Sequence, residues 1–172
     1  MIAIAEDSDG FMWFGTSNGL NRFDGSNFKI YSSVPGDSTS LTSSYVLSLY
    51  VDSKKQLWVG TDSGLNLYDA QMGNFKRIEL VAYASDNINT LAINGIGEDK
   101  EGRLMVASDA GLYRAGIDGS HRFEKIPLYN GFSEEIYSMR TLLRDSMNNM
   151  WIGTDGAMIR ITISDNIVNQ TY

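Results

Sequence analysis

The segment DSDG at residues 7–10 places two carboxylates and a hydroxyl on a tight turn and opens like a calcium loop. A complete loop of that type needs more oxygen ligands and a distal Glu. Related segments begin at Asp52, Asp99 and Asp145 and share only the first acid as a position common to all, so that acid reads as a turn cap accepting local backbone N–H bonds, and no metal is assigned. His121, the single histidine, lies in DGSHRF without a serine or carboxylate constellation, and reads as a surface polar residue rather than a general base. Glu134 and Glu135 are adjacent carboxylates of the kind that hydrolyse glycosides, but that chemistry needs a partner at a defined separation, which nothing here supplies. Trp13, Trp58 and Trp151 offer flat faces for stacking on a sugar, yet they recur at fixed spacing, as core residues do and binding residues need not. The chain has no cysteine, hence no disulfide, thiolate nucleophile or thiolate metal site. The expectation is a chain with no catalytic residue, no cofactor and no bound metal.

The elements that carry these residues follow from a repeat. DSDGFMWFGTSNGL, DSKKQLWVGTDSGL, DKEGRLMVASDAGL and DSMNNMWIGTDGAM are four versions of one segment. Their anchors are Trp13, Trp58, Met105 and Trp151, at steps of 45, 47 and 46 residues, the period of a β-propeller blade. A unit of that length cannot bury both faces of its sheet alone and must stack on its own copies. The fold class expected is all-β: four repeats of about 45 residues, each a mainly four-stranded antiparallel sheet, with blades at about 1–44, 45–92, 93–135 and 136–172 in a single, partial propeller domain.

Aligned on Asp7, Asp52, Asp99 and Asp145, the copies read as columns. Three residues earlier stand Ile4, Leu49, Ile96 and Leu142, and one before those Ala3, Ser48, Gly95 and Thr141, a small column beside an aliphatic one, as expected of the innermost strand. MWFGT, LWVGT, LMVAS and MWIGT are apolar on both faces and read as the second strand, sandwiched between blades. Gly15, Gly60, Ala107 and Gly153 lie on the anchor's face, where a larger side chain would meet the neighbouring sheet. Thr16, Thr61, Ser108 and Thr154 can tie their hydroxyls to the next turn, where Gly19, Gly64 and Gly111 supply positive φ; the fourth copy places Gly156 one residue early. Outer strands are expected at 28–31, 75–78, 123–126 and 167–172.

Composition adds limits. The chain of 172 residues is 42% hydrophobic, enough for a core, and its 17 Gly and 2 Pro suit many turns. A net charge of −7 disfavours nucleic acid and anionic membrane surfaces as partners. The start MIAIAEDSDG has no basic region followed by an apolar one, and no stretch approaches 18 apolar residues, so an exported parent would make this chain an excised piece without membrane contact of its own.

Ligand-binding candidates are the places where the repeat turns polar. Five residues before the first acid stand Ile2, Leu47, Asn94 and Arg140, so the last two put an amide and a guanidinium where the others are aliphatic. Tyr45 and Tyr137 precede inner strands, where connections converge and an aromatic can pack on a sugar ring. The competing reading of Asn94 and Arg140 is a satisfied structural hydrogen bond.

DSDGFMWFGTSNGLNRFDGSNFKIY and DSKKQLWVGTDSGLNLYDAQMGNFKRI resemble the two-component regulator propeller repeat of bacterial hybrid two-component sensors almost end to end. The third copy departs, with Met105, Ala107, Ser108 and the RAGID segment in place of the usual residues. The resemblance implies a periplasmic sensor segment that helps perceive an oligosaccharide, with any kinase activity in other modules. A non-catalytic scaffold or dimerisation segment is the alternative, and a propeller lyase or hydrolase the outsider. Blades one and four would each expose an apolar face, which two copies joined head to tail would cover, while a closed four-bladed monomer is the rival.

Overall fold

A computed structural model describes residues 1–80, 91–116, 122–128, 138–164 and 167–171, and among these every regular element is a strand. The first sheet contains β1 (Ala3–Glu6), β2 (Met12–Thr16), β3 (Gly19–Phe23) and β4 (Phe28–Tyr31). The second contains β5 (Val46–Val51), β6 (Leu57–Thr61), β7 (Gly64–Asp69) and β8 (Asn74–Ile78). The third is β9 (Ile93–Glu98), β10 (Leu104–Ser108), β11 (Gly111–Ala115) and β12 (Phe123–Ile126), and the fourth β13 (Met139–Arg144), β14 (Met150–Thr154), β15 (Met158–Ser164) and β16 (Ile167–Thr171). Each is an antiparallel meander in sequence order, so the architecture is that of propeller blades.

Local chemistry makes the hairpins. At the first turn of each blade one carboxylate oxygen accepts two backbone N–H bonds: Asp7 Oδ1 from Asp9 and Phe11, Asp52 Oδ1 from Lys54 and Gln56, Asp99 Oδ1 from Glu101 and Arg103, Asp145 Oδ1 from Met147 and Asn149. Three residues after the acid the backbone turns left-handed at Gly10, Lys55, Gly102 and Asn148. At the second turn the Thr16, Thr61 and Ser108 hydroxyls donate to the carbonyls of Gly19, Gly64 and Gly111, whose φ values are 111°, 132° and 128°. Thr154 makes the same bond three residues on, to Ala157 O, and neither Gly156 nor Ala157 has positive φ, so the fourth turn is not shorter than the others but is wound differently.

The sheets stack in sequence, each inner strand on the next: β1 on β5, β5 on β9, β9 on β13. Three cores result. Trp13, Leu20 and Tyr31 pack on Val46, Leu57, Val59 and Phe75; Trp58, Leu65 and Leu67 on Ile93, Ile96, Leu104 and Val106; Met105, Ala107 and Leu112 on Met139, Leu142, Met150 and Ile152. The anchor therefore always faces the following sheet, and Trp13, Trp58 and Met105 are buried. Trp151 is only half-buried, because no fifth sheet lies on its face among the described residues. The same face explains the small column: a Cβ at Gly15 would lie 2.7 Å from Val46 Cγ1, and one at Gly60 2.6 Å from Ile93 O.

Candidate functional site

In an antiparallel meander the two ends of a sheet carry different loops. One end has the second turns and the connections between sheets; the other has the acid-led turns and the outer hairpins. The polar positions singled out in the sequence lie at the first of these ends. In the second, third and fourth sheets the inner strand is bulged there, and the extra residue is Leu47, Asn94 or Arg140. A bulge re-aims the side chain it carries, so Leu47, Asn94 and Arg140 leave the alternation of their strands. Asn94 Nδ2 donates to Met139 O at 2.8 Å, tying the third inner strand to the fourth. Arg140 forms a bidentate ion pair with Asp155, Nε to Oδ1 at 2.6 Å and an Nη to Oδ2 at 2.9 Å, and both residues stay more than half exposed. Those bonds hold the Asp155 carboxyl below its ordinary range and raise the guanidinium further above neutrality. Both groups thus have intramolecular partners. Tyr45 stands exposed before β5. Tyr137, His121, Glu134 and Glu135 lie outside the described residues.

The opposite end holds concave space that the sequence did not reveal. A cleft of about 480 Å³ opens between the first and second sheets, and a smaller one of about 200 Å³ lies one junction along, between the second and third. The second of these junctions carries a polar tie. The last residue of β9 is Glu98, whose carboxylate reaches back to Ser53, accepting from its N–H at 2.9 Å and its hydroxyl at 2.8 Å, and so draws the second and third sheets together. The corresponding residue of β5 is Val51, which has no polar head with which to close the first junction.

The walls of the larger cleft are built from the turns of the first two sheets, with the anchor Trp13 buried behind them. Asp7 spends Oδ1 on its own turn and Oδ2 on the indole of Trp13, whose Nε1 donates at 2.6 Å. Asp52 and Asp145 hold Trp58 and Trp151 in the same way, at 2.8 Å in each case. In the third blade Met105 has no N–H to give, and Arg103 Nε donates to Asp99 Oδ2 instead. Sequence columns carried this signal, since the acid precedes each tryptophan by six residues and the copy without a tryptophan has Arg103; the reading made there stopped at turn capping.

Above Trp13 lies an aromatic cluster. Trp13 stacks on Tyr31 and meets Tyr68 edge-on, and Phe75 closes on both tyrosines. Burial and the hydrogen bond with Tyr31 push the Tyr68 phenol up to about 12, so it remains a neutral hydroxyl at physiological pH. The Arg22 guanidinium lies 4.3 Å above the Phe11 ring and donates weakly to the Tyr68 hydroxyl at 3.4 Å. Lys55 and Lys76 complete the cationic wall, and among the described residues none of these three cations forms a salt bridge. Lys55 also sits at φ 64°, a conformation its counterparts meet with Gly or Asn. Asp69 Oδ1 caps Gln71 and Met72 within the outer hairpin, leaving its second oxygen as an acceptor at the rim. The arrangement suits retention of a molecule with a flat apolar face and hydroxyl or acidic groups around its edge. Among the described residues no three His, Asp or Glu side chains converge as a metal site.

The sequence pattern of the family described as Two component regulator propeller matches residues 1–18 and 40–63, which contain the acid-led turn and anchor of the first two blades. A 42-residue stretch, 24% of this chain, is 52% identical to Histidine kinase P4 of Formosa agariphila, and it covers 3% of that protein. Among solved structures, the extracellular domain of the hybrid two component system BT4673 from B. thetaiotaomicron superimposes with TM-score 0.78 at 23% identity, over 98% of this chain and 24% of that one. The corresponding domain of BT3049 from the same organism gives 0.64 at 20% identity, over 99% and 30%. Virginiamycin B lyase from Staphylococcus aureus gives 0.67 at 18% identity, over 98% and 54%. At these identities the structural likenesses establish the fold, and the chain spans about a quarter to a half of the solved chains it resembles.

Proposed function

We propose that this chain is a ligand-sensing segment of a hybrid two-component signalling protein, held on the periplasmic side of the membrane, and that its ligand is an oligosaccharide. The observation that carries the reading is the two-component regulator propeller pattern over the first two blades, the same two blades that enclose the larger cleft. The short match to a histidine kinase and the fold likeness to extracellular domains of hybrid two-component systems support the same assignment. The cleft supports the ligand class: a sugar ring presents an apolar face that packs on Phe11, and edge hydroxyls that pair with Arg22, Lys55, Lys76 and the free Asp69 oxygen. No catalytic role is assigned, and the lyase likeness is one of fold.

A glycan array probed with the purified chain, followed by calorimetry on the strongest hit, tests this. Retention of a defined oligosaccharide, with at least tenfold weaker binding in Arg22→Ala and in Phe11→Ala, is the expected result. Retention that survives both substitutions and is lost in Tyr45→Ala or Arg140→Ala would move the site to the bulged end of the inner strands. No retained glycan at all would overturn the reading.

A further inference from the structure

The larger cleft gathers three cations in a chain whose net charge is −7. Arg22 comes from β3 of the first sheet, Lys55 from the acid-led turn of the second and Lys76 from β8, so both sides of the junction contribute to one positive wall. Three other arginines are spent on the protein itself: Arg77 donates to the carbonyls of Asp37, Ser40 and Leu41, Arg103 pairs with Asp99 and Glu101, and Arg140 pairs with Asp155. Arg22 differs. Of the five N–H groups of a guanidinium, one donates to the Tyr68 hydroxyl at a long 3.4 Å, and the Phe11 ring supports the group from one side at 4.3 Å. The Tyr68 phenol stays neutral, so its contact positions the guanidinium without cancelling its charge.

Lys55 supplies a second, independent observation. In each acid-led turn the third residue after the acid is left-handed, with φ 85° at Gly10, 72° at Gly102 and 65° at Asn148, and glycine and asparagine take up that conformation at little cost. Lys55 holds φ 64° with a long side chain, and among the described residues its ammonium forms no salt bridge. A strained residue on a cleft wall, with no ion pair to account for it, points to a role in what the cleft holds. The acids of the same cleft do not neutralise the cations. Asp7 gives Oδ1 to its turn and Oδ2 to Trp13, Asp69 gives Oδ1 to Gln71 and Met72, and Asp9 stands exposed on the first turn; none of them pairs with Arg22, Lys55 or Lys76. At the next junction the carboxylate of Glu98 lies between the sheets, whereas the corresponding residue here is Val51, which brings no charge.

Resting on the reading of the cleft as a sugar site, we infer that the oligosaccharide it takes is acidic: a carboxylate or sulfate ester on the sugar is held between Arg22 of the first sheet and Lys55 and Lys76 of the second, with the ring on Phe11. A guanidinium presents parallel N–H groups that match two oxygens of such an anion, and the two ammonium groups add charge without a fixed direction. A neutral sugar offers the same donors only hydroxyl oxygens, which leave all three charges uncompensated.

The probes are glucuronate, glucose 6-sulfate and glucose, titrated into the isotope-labelled chain and followed through its backbone amides. At least one acidic sugar is expected to shift the amides of Phe11, Lys55 and Gln56 and to bind at least about tenfold more tightly than glucose, the worth of a hydrogen bond between charged groups. The tighter of the two acids identifies the source of the charge. Its affinity is expected to fall as sodium chloride rises from about 50 to about 300 mM, because partly exposed ion pairs are screened. Arg22→Gln is expected to abolish the advantage over glucose. Lys55→Asn introduces the residue that the fourth blade has at this position, so the melting temperature is expected to hold or rise while the affinity for the acid falls; a merely structural lysine would give the reverse. Glucose bound at the cleft as tightly as either acid overturns the inference and leaves the oligosaccharide reading intact. Acidic sugars that shift no amide of the cleft, an affinity indifferent to salt, or an advantage over glucose that survives both substitutions overturns it as well, and the glycan array decides the broader reading separately.

Discussion

Replacing Trp58 by alanine removes the largest side chain from the core between the second and third sheets and strands the carboxylate that holds it. Trp58 is 3% exposed and packs with Leu65, Leu67, Ile93, Leu104 and Val106. Truncating a buried tryptophan to alanine costs about 3–5 kcal/mol through lost transfer energy and the cavity left behind. Asp52 is itself buried, and its Oδ2 loses the indole donor, adding about 1–3 kcal/mol for an acceptor left unsatisfied. Against a total stability of about 5–15 kcal/mol, the alanine variant stands close to unfolding at room temperature. Trp58→Phe separates the two contributions: it keeps most of the packing, loses the N–H, and should cost about 1–3 kcal/mol. Urea unfolding followed by circular dichroism measures both. A loss below about 1 kcal/mol for Trp58→Ala, the range of an ordinary surface change, would refute the buried-anchor argument. A loss in Trp58→Phe equal to that in Trp58→Ala would refute the division between packing and hydrogen bond.

The small column predicts a contrast between two glycines. Gly60→Ala puts a methyl 2.2 Å from Ser48 Oγ and 2.6 Å from Ile93 O, and should cost about 1–3 kcal/mol as the third sheet is pushed away, whereas Gly156→Ala meets no atom within 4 Å and should stay within about 0.5 kcal/mol in the same assay. Asp145 is lowered from 3.8 to about 2 by its bonds from Asn149, Trp151 and the turn backbone. Because the folded value lies below the unfolded one, its stabilising contribution is complete above pH 3.8 and is lost as the pH falls through about 2, so carboxyl carbon chemical shifts should report a midpoint near 2 for this residue; a midpoint near 3.8 would contradict the bonding described.

Much of this protein was legible because its information is local and spoken four times. Turn acids, the glycine of the second turn, the anchor and the small residue two positions later each act within a few residues of themselves, and repetition separates such signals from chance. The outer strands at 28–31 and 123–126 fall where the sequence placed them, and that at 74–78 begins one residue earlier. Repetition also hid one thing in plain view, the bond from Asp7, Asp52 and Asp145 to the indole six residues on, because a column shows that two positions vary together without showing that they touch. What only the tertiary structure decided lies in the departures from the repeat. Glu98 closes its junction on Ser53 and Val51 leaves its own open, yet each pair of positions is about one blade apart, and no periodic pattern announces a contact that exists at only one junction. Asn94 and Arg140 stood out as polar breaks, but whether they met a ligand or the protein depended on Met139 O and Asp155, groups brought near by a bulge and by the packing of one sheet on the next. The stacking follows from the same physics: an amphipathic sheet specifies what kind of surface must cover it, and only the folded stack shows which sheet supplies that surface at each junction.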